Sequence, residues 1–123
     1  MQVRFVRRKS GEQLPVHQTE HGVYLCPICG FPVSDVAPYE DTYRADGGPT
    51  VGDEQFATPS YEKCESCGAY YGETDLVLGD ASLQERWREL RRSWLDRVGW
   101  TASALAQLRN LGIEAFQEGP GCQ

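Results

Sequence analysis

Cys26-Pro27-Ile28-Cys29-Gly30 and Cys64-Glu65-Ser66-Cys67-Gly68 repeat one short pattern, a Cys-x-x-Cys-Gly loop, with 34 residues between Cys29 and Cys64. Two such loops supply four thiolates, the ligand set of a closed tetrahedral metal site. The two-residue gap lets both sulfurs of a loop reach one ion from a single tight turn. Glycine after the second cysteine accepts the positive φ that such a turn needs. Pro27 pre-sets φ at the turn entrance and removes a backbone donor that would lack a strand partner. A lone Cys-x-x-Cys carries little information; two copies, each closed by Gly, are specific.

The ligands expected are therefore Cys26, Cys29, Cys64 and Cys67. Zinc bound by four thiolates has no open position, so it would be structural rather than catalytic. Iron in the same cage would make an electron carrier, because tetrahedral sulfur suits both metals. Tyr24 to Gly30 and the acidic spacer after it resemble rubredoxin. The second loop, however, has Glu65 where that pattern has proline, and a helical tail is foreign to it. The expectation is Zn2+, with iron as the alternative. His17 and His21 are surplus to a complete sulfur shell and read as ordinary surface or loop histidines. Cys122 lies outside both loops and reads as a free thiol.

The 123 residues suggest one small domain, and 40% apolar with 24% charged residues fits a globular chain. Its apolar residues are divided between a loop-rich front and a helical back, a thin core that a structural metal would reinforce by about 10 kcal/mol or more. No run approaches the roughly 20 apolar residues of a membrane span. The basic start, Met1 to Lys9, lacks the apolar stretch of a secretory signal. A cytoplasmic location is expected, where paired Cys-x-x-Cys reads as metal rather than disulfide.

The formal charge of −6 conceals an asymmetry. Phe31 to Glu85 holds twelve acids against Arg44 and Lys63, whereas Arg86 to Arg97 holds five arginines against Glu89 and Asp96. A Zn(Cys)4 centre would add two more negative charges to the front. Such a field repels phosphate and favours a basic partner. Nucleic acid is thus the less favoured partner, and Arg86, Arg88, Arg91 and Arg92 are expected to pair with front-half acids.

Val3, Phe5, Val23 and Leu25 suggest one or two short strands ahead of the first loop. Each Cys loop is expected to close a β-hairpin, with Ala69-Tyr70-Tyr71 returning from the second. Ser82-Leu83-Gln84-Glu85 has the form of a capping box. Leu83, Trp87, Leu90, Trp94 and Val98 then recur on one helical face. Gly99 is the expected stop; Thr101 or Ser103 starts a second helix carrying Leu105, Leu108 and Leu111. The fold expected is small α+β: a zinc ribbon of two Cys-loop hairpins over residues 1–80, a C-terminal helical pair over 81–113 packed on it, and a flexible tail over 114–123. No phosphate loop, dinucleotide fingerprint or Ser-His-Asp set is present, so an enzyme has little support.

Taken together, the segments resemble a family of small bacterial cysteine-rich proteins of the "CPCC" type. The parts that match are Cys26-Pro27-Ile28-Cys29-Gly30, Pro59-Ser60-Tyr61-Glu62-Lys63-Cys64-Glu65-Ser66-Cys67-Gly68, Glu73-Thr74-Asp75, the helix from Trp87 to Trp94, and Ala106 to Ile113. The chain departs from that pattern at Tyr70-Tyr71 and in the short link after Trp94. Some members look like immunity proteins for bacterial toxins. The resemblance therefore implies a non-enzymatic protein-binding module that occludes a basic toxin, with Asp35, Glu40, Asp41, Asp53 and Glu54 steering the encounter. A zinc-ribbon protein acting on nucleic acid or in transcription is the other reading.

Overall fold

The computed structural model describes residues 2–40 and 57–112. Strand β1 (Gln2–Arg7) pairs antiparallel with β2 (Gln13–Gln18), and β3 (Tyr24–Leu25) and β4 (Pro32–Ser34) complete a four-stranded sheet in the order β1-β2-β3-β4. A second, two-stranded sheet joins β5 (Tyr39–Glu40) to β6 (Thr58–Pro59). Helices α1 (Leu83–Val98) and α2 (Ala102–Arg109) follow, making the fold α+β. No helix among the described residues is long and apolar enough to cross a membrane. The expected tail, 114–123, lies outside the described residues, as does Cys122.

Alternation builds the sheet. Val6, Leu14 and Val16 point into the core, while Val3 and Phe5 stand on the outer face of β1. Val6, Leu14 and Val16 meet Trp87, Trp94 and Leu95 of α1, Leu108 of α2 and three buried cysteines in one cluster. Within it Tyr39 lies 5.7 Å from Trp87 and 6.4 Å from Tyr71, ring to ring, in tilted packing.

The buried stripe of α1 is Leu83, Trp87, Arg91, Trp94 and Leu95, a face rotated from the expected one. Leu90 is only partly buried, Val98 is exposed, and Arg91 takes a central place. The rotation follows from what Arg91 bonds to, described below. The ion pairs of Arg86 and Arg88 lie within α1 rather than reaching the loops ahead of it. Arg86 and Arg88 pair with Glu89 and Glu85 of their own helix, and Arg86 also donates to the Thr74 carbonyl.

The start of α1 is held from a distance. Ser82 Oγ accepts from the Glu85 N–H, half of the expected capping box. Glu12, in the β1–β2 turn, supplies the rest. Its carboxylate accepts from the Leu83 N–H at 2.8 Å, the Gln84 N–H at 3.1 Å and Ser82 Oγ at 2.8 Å, and Arg8 donates to it at 2.8 Å. Burial alone would push this carboxyl up, but the donors outweigh it and hold Glu12 at about 2 against an ordinary 4.5. The contribution is therefore complete above pH 4.5 and declines as pH falls toward 2. Glu12→Gln is expected to cost about 1–2 kcal/mol at neutral pH. Denaturant melts of both chains across pH check this: the gap should narrow in acid, and a gap independent of pH would contradict it.

Candidate metal centre

Both Cys loops adopt the same hydrogen-bonded turn. The Cys26 N–H donates to Phe31 O and the Gly30 N–H to Cys26 O, both at 2.8 Å; the Cys64 N–H donates to Ala69 O at 2.9 Å and the Gly68 N–H to Cys64 O at 2.8 Å. Gly30 and Gly68 sit at φ 83° and 80°, the left-handed region the sequence required of them. The first loop closes a hairpin of β3 and β4. The second is flanked by a shorter antiparallel pairing, the Lys63–Tyr70 bridge with the Tyr71 N–H donating to Glu62 O at 3.1 Å. Tyr61 at φ 62° and Gly72 at φ 91° turn the backbone out of the extended region on either side and keep that pairing short.

The turns bring all four sulfurs within 4.8 Å of one another. Cys26 and Cys67 are 3.8 Å apart, Cys29 and Cys64 3.6 Å. A tetrahedral ion with metal–sulfur bonds of about 2.3 Å sets its sulfurs about 3.8 Å apart, so the cage fits such an ion. The same separations are far too long for disulfides, whose sulfurs lie about 2.05 Å apart. Cys26, Cys29 and Cys64 are fully buried; Cys67 is the half-buried edge of the cage. Hydrogen bonding with Cys26 holds the Cys64 thiol low and pushes the thiols of Cys29 and Cys67 up. Four thiolates in this space would need a cation between them.

Sequence reasoning missed the groups that hold the loops. Arg91, 8% exposed, donates from Nε to Ile28 O at 2.7 Å and from Nη2 to Pro27 O at 3.0 Å. These carbonyls belong to the two residues between Cys26 and Cys29. Arg97 Nη2 reaches Cys67 O, Gln107 Nε2 reaches Ser66 Oγ, and Asn110 Nδ2 reaches Gly30 O. Two guanidiniums thus stand beside the loops of a centre that would carry two negative charges when filled with a divalent ion. The available signal was placement: Arg91 is flanked by Trp87, Trp94 and Leu95 at helical spacing.

Of the acids expected to steer a partner, Asp35 is exposed in the segment after β4. Glu40 is half-buried, and its two oxygens receive Arg4, one of them at 2.8 Å. Asp41, Asp53 and Glu54 lie outside the described residues. Asp75, counted among the front-half acids, is fully buried. It accepts from Tyr39 Oη at 2.6 Å, Trp87 Nε1 at 2.8 Å and the Gly72 N–H at 2.7 Å, joining β5, α1 and the turn after the second loop.

No family model matches the chain, and no curated protein or solved structure does either.

Proposed function

We propose that the chain is a non-enzymatic protein-binding module, a zinc ribbon stapled by structural Zn2+. The observation that carries this is the sulfur cage: three of its four cysteines are fully buried, and its four sulfurs, within 4.8 Å of one another, are enough to fill a tetrahedral shell. An ion held there has no position left for substrate, so it serves the fold and leaves recognition to the surface. The surface offers apolar side chains that a protein partner would cover. Phe5 and Leu78 are 59% and 82% exposed, and Tyr61 and Tyr70 also face solvent.

The sharpest form of the reading, drawn from the family resemblance and the acidic front, is an immunity protein that covers a basic toxin. Asp35, Asp41, Asp53 and Glu54 would steer the encounter, with Glu40 contributing less because Arg4 already faces it. Deleting the gene with its neighbours intact should sensitise cells to a toxin from their kin; unchanged survival together with empty pull-downs would end this form of the proposal. Metal analysis of the purified chain should return one zinc. A red protein with thiolate-to-iron absorption would replace zinc by iron and the binding module by an electron carrier.

A further inference from the structure

We propose that the Tyr71 hydroxyl donates a hydrogen bond to Cys26 Sγ when the cage is filled, making Tyr71 a positioning residue that sets how tightly the metal is held. This rests on the metal-site reading above. Tyr71 follows the second loop, four residues after Cys67, and is 1% exposed. Its backbone is fixed by the Tyr71 N–H to Glu62 O bond and its ring by Tyr39. The hydroxyl is buried and has no hydrogen-bond partner among the described residues. Leaving such a group unpaired costs about 1–3 kcal/mol, and buried tyrosine hydroxyls ordinarily find a partner.

Tyr71 lies in the buried cluster that holds Cys26, Cys29 and Cys64, and Cys26 is the sulfur that acts most strongly on its hydroxyl. A phenol hydroxyl is protonated at neutral pH, so it can donate. In the thiol state the sulfurs contact one another, Cys26 with Cys67 and Cys29 with Cys64, and a neutral thiol is a weak acceptor. Metal binding removes the S–H protons and leaves thiolates, which accept a charge-assisted bond. The orphaned hydroxyl then has its partner, and the buried negative charge has one more donor.

The test uses the full chain loaded with Co2+ and with Zn2+, comparing wild type with Tyr71→Phe, which removes the hydroxyl and keeps the ring. Affinity measured against a competing chelator should fall about 10-fold. The thiolate-to-cobalt absorption should move to lower energy, because a sulfur without its donor gives up electron density more readily. Placing 3-fluorotyrosine at position 71 strengthens the donor and should move the band the other way, an arm that holds even if Tyr71→Phe folds poorly. Weaker binding with an unmoved band in both variants would mean lost packing and overturn the proposal, as would affinity and band equal to wild type. A wild-type chain that takes up no Co2+ would overturn the metal site and the role of the hydroxyl together.

Discussion

Chelating the metal from the loaded chain is expected to unfold the front half and to loosen both helices from it. Three of the four ligands belong to the main core cluster, where they pack with Trp87, Leu95 and Leu108. Losing the ion therefore removes a support from the same surface that buries α1 and α2. Structural zinc contributes about 10–16 kcal/mol in small domains, whereas a whole domain is stable by about 5–15 kcal/mol. The first figure can consume the second. Cys64→Ser should have the same effect without chelator, since Cys64 is fully buried and a serine hydroxyl there is a poor ligand. Cys67→Ser should be milder, because Cys67 is half-buried at the edge of the cage. Acid should act in the same direction as chelator, for protons compete with the ion for the sulfurs. Thermal melts with and without chelator check all of this; a melting temperature indifferent to metal would remove the structural role from the site.

Gly30→Ala is expected to be severely damaging, and Gly68→Ala at the equivalent position of the other loop should be far milder. Both glycines have left-handed φ, so alanine at either costs about 1–2 kcal/mol in backbone strain. Their surroundings differ. A Cβ on Gly68 would meet nothing within 4 Å, whereas one on Gly30 would lie 2.1 Å from the Gln107 carbonyl oxygen and 3.4 Å from Leu111 Cγ. The obstacle is backbone at the end of α2, which cannot swing aside as a side chain would. Relief requires α2 to move off the first loop, breaking the Asn110 bond to Gly30 O and the Gln107 bond to Ser66. A loss above about 3 kcal/mol is expected for Gly30→Ala, well beyond strain alone. Urea melts of the two metal-loaded variants decide it: equal losses would show that α2 does not press on the first loop.

The parts of this molecule legible in the sequence are those fixed by residues near one another in the chain. The Cys loops, their glycines, the Ser82 cap, the Gly99 stop at φ 92° and the Thr101 cap of α2 all bond within a few positions. The buried Trp87 and Trp94 followed from helical spacing. The illegible parts are polar residues whose partners lie far along the chain. Glu12 caps a helix 71 positions away through the Leu83 N–H. Arg91 bonds Ile28 across 63 positions, and Asp75 meets Tyr39 across 36. Each looked like ordinary surface charge because composition counts charges without knowing which are buried. Periodicity failed at Arg91 for the same reason: a pattern of apolar residues cannot represent an arginine whose fork is spent on loop carbonyls.

Those downstream contacts have a consequence for how the chain is made. All four sulfurs lie between residues 26 and 67, yet the side chains that brace their loops come from Arg91, Arg97, Gln107 and Asn110. At a synthesis rate of about 5–20 residues per second, the nascent chain carries a full set of thiols for seconds before its braces exist. In that interval the thiols are an open chelator, and copper, which outcompetes zinc for such ligands, can enter first. On the metal-site reading, the ion would be chosen while these braces are still missing, and α2 would be the latch that closes the cage behind it.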